Sequence, residues 1–193
     1  MVMIEQRHIP NILTFGRMIL VLPIVSCLYS EYYRQALALF FVAGLTDAID
    51  GFLARKFEWK SRLGAIVDPL ADKLLLVSAF IALTFLGKIA LWLTVLVFAR
   101  DVVIVCGGVY YRYTVGTIQM APSRLGKLST LAQITFVLVV IISLAGLPMP
   151  EKTAYWGQWL VAILCVASGV QYVWVWSRKT ITEAVSGTDA GKT

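Results

Sequence analysis

Asp47, Asp50, Asp68 and Asp72 stand inside two stretches that are otherwise apolar enough for a lipid bilayer, Leu39–Ala54 and Leu63–Phe85. An ionised carboxylate within a membrane costs about 2.5 to 3.5 kcal/mol even on the mildest insertion scale. Several close together also repel one another. Divalent cations are the most direct compensation, and oxygen-only ligands select hard ions, magnesium or manganese. No His or Cys lies close in sequence to suggest zinc. A proton relay or an ion path lined by the same carboxylates is the alternative.

The spacing sharpens this. Positions three or four apart on a helix share a face. Asp47 and Asp50 therefore point one way, and so do Asp68 and Asp72. The connection Lys56–Leu63 is short and polar, which makes the two helices antiparallel neighbours. All four carboxylates can then converge on one cavity near the cytoplasmic ends of the spans. Gly51, Ala54 and Gly64 are small residues in the same stretch. A glycine inside a helix costs about 1 kcal/mol relative to alanine. Its usual return is close approach of a ligand or, equally, of another membrane helix.

The elements that must position these residues follow from composition. Of 193 residues, 59% are hydrophobic and only 15% charged, more apolar surface than a soluble domain of this size can hide. A membrane helix needs about 20 mostly apolar residues. Six such spans are expected: Ile12–Tyr29, Gln35–Leu53, Gly64–Leu86, Ile89–Tyr111, Leu128–Leu147 and Tyr155–Trp176. The fold class is thus all-α, an integral membrane bundle of six transmembrane helices. Residues 1–181 are expected to form one six-helix transmembrane domain, and the small, polar segment 182–193 a flexible tail. The first apolar run follows a polar start and lacks a small-residue cleavage site, so it is expected to remain as the first span. Cys27, Cys106 and Cys165 are scattered through apolar spans and are read as small buried hydrophobes.

Charge gives the orientation. The net charge is +6, and the basic residues are uneven. Arg55, Lys56, Lys60 and Arg62 follow span two, Arg112, Arg124 and Lys127 follow span four, and Arg178, Lys179 and Lys192 lie in the tail. The opposite loops hold Arg34, Lys88 and Lys152. The positive-inside rule therefore places both termini and the carboxylate site in the cytoplasm. The basic side also suits anionic headgroups or nucleotide phosphates. No nucleic-acid partner is expected. No Arg-rich transit peptide is evident, which favours a bacterial inner membrane over a mitochondrial one. Tyr32, Tyr33, Tyr155, Trp156, Trp159 and Trp176 cluster near span ends as an aromatic belt.

The full arrangement resembles the signature of the CDP-alcohol phosphotransferases, D-x2-D-G-x2-A-R-x8-G-x3-D-x3-D. Asp47, Asp50, Gly51, Ala54, Arg55, Gly64, Asp68 and Asp72 fill every fixed position. The resemblance extends from Ile9 to Trp176 and points to the branch of phosphatidylglycerophosphate synthases and CDP-dependent cardiolipin synthases. It implies displacement of CMP from CDP-diacylglycerol by an acceptor hydroxyl, with two divalent metals, Mg2+ or Mn2+. By position, the four aspartates are implied as metal ligands and Asp72 also as the base. Gly51, Ala54, Arg55 and Gly64 are implied as contacts of the CDP moiety. Asn11 and Thr14, in the run Ile9–Arg17, resemble the family's opening of helix one, although Asn11 suits a helix cap equally. Arg17 either snorkels to the interface or meets a phosphate.

Arg100 and Asp101 interrupt span four. Adjacent residues point about 100° apart on a helix, so they need not pair, and each should find a partner in the bundle. Arg100 is a candidate for the acceptor site, as are Arg124 and Lys127, whose surroundings resemble the basic opening of helix five in phospholipid-making members. Arg112 is read as a topology signal. Glycerol 3-phosphate is the first expected acceptor and phosphatidylglycerol the second, since Arg-Asp in span four and Tyr110–Tyr113 are similar to the cardiolipin synthases. Membrane lipids surround the chain. A homodimer through membrane helices is a further expectation, with Gly107, Gly108 or Gly169 at the contact. A divalent-cation or lipid transporter is the alternative of another class. It would need two gates and usually an internal repeat, and no repeat is evident.

Overall fold

The computed structural model describes residues 9–57, 64–115, 123–150 and 152–189. Regular structure among them is helical throughout: α1 (Ile9–Tyr29), α2 (Tyr33–Lys56), α3 (Gly64–Phe85), α4 (Leu91–Val115), α5 (Arg124–Leu144) and α6 (Thr153–Asp189). The six expected spans each match one helix, with ends shifted by a few residues. Asn11 falls within the first turns of α1 and is therefore not its cap. At the other end of the chain α6 continues to Asp189, well past Trp176. No proline and no glycine interrupts the sequence between Trp176 and Gly187, so nothing local stops the helix. Among the described residues, Leu91–Gly108, Arg124–Leu144 and Thr153–Val175 are long and apolar enough to cross a membrane, and Thr14–Tyr29 is a shorter apolar helix. The aspartates lie on α2 and α3.

Two compact units are present. The first comprises Met1–Ala90 with Val137–Glu151, and the second Leu91–Phe136 with Lys152–Thr193. In the first unit α1 packs against both α2 and α3. Its contact stripe on α1 is Thr14, Arg17, Val21, Ile24 and Leu28, all buried and spaced alternately by three and four. On α2 the stripe is Ala36, Phe40 and Ala43, and the next position in the same rhythm is Asp47. Alanine at two of these positions lets the helix backbones approach closely, as membrane helices require. On α3 it is Ala71, Leu75, Leu76, Ala79, Phe80, Ala82 and Leu83, with Asp72 at its start. The apolar seam thus runs directly into the charged residues. The faces away from it carry Phe15, Ile19, Leu22, Phe41 and Leu45, exposed as lipid-facing residues should be.

Three helix ends in this unit close in the same way. At the end of α3, Gly87 has φ 69° while Gly87 N–H donates to Thr84 O and Lys88 N–H to Leu83 O. Gly146, with φ 73°, ends α5 through the equivalent bonds to Ser143 and Ile142. These are Schellman closures, which favour glycine because a Cβ is disfavoured in the left-handed region. At the end of α1 the same position is Glu31, with φ 61°.

In the second unit α4 packs against α6. Leu93, Val97 and Arg100 form the buried stripe of α4, and Val161, Ala162, Cys165 and Ser168 that of α6. Near the N-terminal ends of α4 and α6 the rings of Trp92 and Trp159 lie 5.5 Å apart, tilted by 37°. Cys165 is buried as expected, whereas Cys106 is exposed on α4.

Candidate active site

In the first unit Arg17 meets two of the four aspartates. This side chain is 1% exposed, so it does not snorkel to the interface. Its Nη1 lies 2.8 Å from Asp47 Oδ1 on α2 and also donates to Asp72 Oδ1 on α3. One guanidinium nitrogen thus joins carboxylates from two helices. The reason is in the seam: Arg17 occupies a buried position of α1 at the level where the α2 and α3 stripes reach Asp47 and Asp72. Thr14, one turn earlier on the same stripe, is fully buried. Both carboxylates remain about half exposed, each 48%.

Asp50 lies one turn beyond Asp47 on α2, and Asp68 one turn before Asp72 on α3. The backbone therefore keeps the i, i+3 and i, i+4 relations that the sequence demands. The side chains of Asp50, Asp68, Asn11, Ala54 and Arg55, and the surroundings of Gly64, lie outside the described residues. Among the described residues there is no group of three or more metal-ligating side chains. Asp47 and Asp72 by themselves fit a hard divalent cation. They offer only oxygen and are open to solvent on one side. Gly51 is partly buried on α2, one residue past Asp50.

The second unit treats its buried charge differently. Arg100 is 8% exposed. Its Nη1 donates to Asp101 Oδ1 at 2.9 Å, and its Nη2 donates to Gly126 O at 3.2 Å and to Ser168 Oγ at 3.0 Å. Arg100 and Asp101 therefore do pair, although neighbours on a helix diverge: the long arginine side chain folds back across the gap. The same guanidinium ties α4 to α5 through Gly126 and to α6 through Ser168. Gly126 has its own reason to be glycine, since a Cβ there would meet Ser123 Oγ and Tyr172 Oη, each at 3.0 Å. Tyr172 Oη accepts from Ser123 N–H at 3.2 Å, and Ser123 Oγ accepts from Gly126 N–H at 2.9 Å as the cap of α5. Deeper in the unit, Gln133 donates to Cys165 Sγ at 3.2 Å. Arg124 and Lys127, on the first turn of α5, are exposed. The side chain of Arg112 lies outside the described residues.

Residues 7–171 match the CDP-alcohol phosphatidyltransferase family. The chain belongs to that family. The eight signature residues all fall within the matched segment, on α2 and α3. Among curated relatives, the chain is 34% identical over 181 residues to a Schizosaccharomyces pombe protein named cardiolipin synthase (CMP-forming) / mitochondrial hydrolase fusion protein, covering 85% of this chain and 30% of that one. It is 30% identical over 191 residues to the Rattus norvegicus cardiolipin synthase (CMP-forming), covering 90% of this chain and 62% of the relative. With a probable phosphatidylglycerophosphate synthase of Mycobacterium tuberculosis it shares 34% identity over 174 residues, 86% of this chain and 80% of that one. The chain thus spans less than two thirds of the length of the first two.

Membership in the family makes Arg17 the residue that the motif does not supply. It lies outside the signature, yet it is the described side chain that joins the first and last signature aspartates. Its signal in the sequence is a charged residue at about one turn's depth in an apolar helix, three residues after Thr14 and four before Val21.

Proposed function

We propose that this protein is a phosphatidyltransferase that displaces CMP from CDP-diacylglycerol, with glycerol 3-phosphate as acceptor and phosphatidylglycerophosphate as product. The observation that carries the reading is the complete eight-residue signature on α2 and α3, with Asp47 and Asp72 brought to one point. In this reaction the acceptor oxygen forms a bond to the phosphorus that bears the diacylglycerol, and the bond from that phosphorus to the oxygen of CMP breaks. Asp72 takes the acceptor proton, a role suited to a half-exposed carboxylate at the end of an apolar seam. Asp47, Asp50, Asp68 and Asp72 would hold two Mg2+ or Mn2+ ions. Such ions, when bound, neutralise the diphosphate and stabilise departing CMP. Gly51, Ala54, Arg55, Gly64, Asn11 and Thr14 are assigned to the CDP moiety. The exposed pair Arg124 and Lys127 suits the acceptor phosphate through charge-assisted bonds.

Arg100, assigned to the acceptor from sequence, is engaged in three internal bonds, so its part in acceptor choice is indirect: it holds the start of α5, which carries Arg124 and Lys127. The active site faces the cytoplasm of a bacterial inner membrane, on the charge pattern of the loops, and two copies pair through membrane helices.

Phosphatidylglycerol is a second acceptor with its own support. Arg100-Asp101 resembles cardiolipin synthases, and the fission-yeast and rat relatives carry that name. The test is one assay. Purified protein in mixed micelles receives radiolabelled CDP-diacylglycerol, magnesium, and either glycerol 3-phosphate or phosphatidylglycerol. Phosphatidylglycerophosphate formed only with glycerol 3-phosphate is the expected result. Cardiolipin formed only with phosphatidylglycerol would reverse the acceptors. No CMP release with either would overturn the enzyme reading in favour of transport.

A further inference from the structure

Ser123 stands directly before Arg124, the first residue of α5, and it is held from two directions. Its Oγ accepts from Gly126 N–H at 2.9 Å, and its carbonyl accepts from Lys127 N–H at 3.1 Å. Those bonds are local, and a capped helix makes them wherever it stands. The Ser123 N–H is different. It precedes the helix and has no acceptor within it, and it donates to Tyr172 Oη at 3.2 Å, 49 positions away on α6. Tyr172 lies one position past the segment that matches the family.

The same tyrosine shapes the turn by contact. A Cβ added at Gly126 would meet Tyr172 Oη at 3.0 Å and Tyr172 Cε2 at 3.2 Å. The ring therefore rests against the backbone of the first turn, and the glycine is what admits it. Arg100 Nη2 reaches the carbonyl of that glycine from α4, at 3.2 Å. Tyrosine is rigid, with only two side-chain torsions, so it loses little entropy in holding a backbone in place. The entry of α5 is thus tied to α6 by Tyr172 and to α4 by Arg100.

What this turn carries is charge. Arg124 and Lys127 are three positions apart, share a face and are both exposed. Charge-assisted bonds to one phosphate need both donors at set distances. The backbone beneath two long, mobile side chains is what sets them.

We propose that Tyr172 is a positioning residue for the acceptor: through Ser123 it fixes the first turn of α5, and with it the direction in which Arg124 and Lys127 meet the acceptor phosphate. The inference rests on the assignment of those two residues to that phosphate. Tyr172 acts through backbone and not by touching substrate, so its effect belongs to the acceptor and not to the CDP-linked lipid.

The experiment is steady-state CMP release by the full chain in mixed micelles, with glycerol 3-phosphate and CDP-diacylglycerol varied in turn, beside amide hydrogen exchange over residues 123–128. Tyr172→Phe keeps the ring against Gly126 and removes the acceptor of the Ser123 N–H. It should raise KM for glycerol 3-phosphate about fivefold, equivalent to about 1 kcal/mol. KM for CDP-diacylglycerol and kcat should stay as they are, the pattern of lost acceptor binding, and exchange at the start of α5 should quicken. Ser123→Ala leaves the tyrosine hydroxyl in place and removes the cap, and it should move the acceptor KM in the same direction. A general loosening of the fold would move kcat and both KM values together, and that result would overturn the proposal. So would unaltered exchange in Tyr172→Phe, or an unaltered acceptor KM in that variant where Arg124→Ala raises it. If Arg124→Ala and Lys127→Ala both leave the acceptor KM unchanged, the acceptor assignment itself fails and the proposal falls with it. Where the acceptor proves to be phosphatidylglycerol, the series is run with that lipid and the same outcomes decide.

Discussion

Two of the described arginines are buried in apolar helices of this protein, and they are held in opposite ways. Arg17 is held by carboxylates, from two other helices, that remain half exposed. Arg100 is held by an adjacent carboxylate, a backbone carbonyl and a hydroxyl, all within the packed second unit. In the first arrangement the anions are open to solvent. The second is a clamp. Its carbonyl and hydroxyl partners are neutral, and Asp101 is largely buried. Burial of the cation alone does not separate a working charge from a structural one; the exposure and origin of its partners do.

The largest effect that this contrast predicts is on turnover. Asp72→Asn should leave CDP-diacylglycerol binding intact and lower turnover by about 10²- to 10⁴-fold, the usual range for loss of a positioned general base. Near-normal turnover, measured as CMP release, would remove Asp72 from that role. Next in size is the clamp. Arg100→Met should destabilise the fold by about 3 to 5 kcal/mol, because it takes the adjacent cation away from the largely buried Asp101. Thermal unfolding in detergent measures this, and a variant as stable as the parent would erase the distinction drawn here.

Smaller changes sharpen the same contrast. Gly126→Ala should cost about 1 to 3 kcal/mol, since the new methyl group crowds Tyr172 and Ser123 at the point where α5 meets the clamp. Unchanged stability would show that Tyr172 yields freely. Ser168→Ala removes one of the bonds to Arg100 and should cost about 1 kcal/mol, with no change in metal affinity. A shift in Mn2+ affinity on that substitution would mean that the two arginines are not independent.

Much of the candidate site is legible in the sequence. The i, i+3 and i, i+4 spacing of the aspartates needs only helical periodicity, and α2 and α3 provide it. The six apolar runs form six helices because length and hydropathy are local properties. What the sequence leaves open or gets wrong involves side-chain reach. On sequence alone Arg17 suits the interface and a phosphate equally, and its partners lie 30 and 55 positions away along the chain. Which face of α1 meets α2 and α3 decides that contact, and a low-contrast apolar helix does not announce its buried face. Helical geometry lets Arg100 and Asp101 diverge, yet they pair because a flexible side chain overcomes the angle between adjacent Cβ atoms. Asn11 suits a cap only if α1 begins after it, and α1 begins at Ile9.

By itself, then, the sequence determined what is covalent and periodic: the helices, the charge asymmetry of their connections, and four carboxylates set at helical spacing in an apolar chain. Those follow from short-range geometry and the cost of charge in lipid. Tertiary structure alone decided which cation meets which anion and how far water can reach them. That assignment depends on helix rotation and packing, which set the depth of Arg17 and the exposure of Asp47 and Asp72.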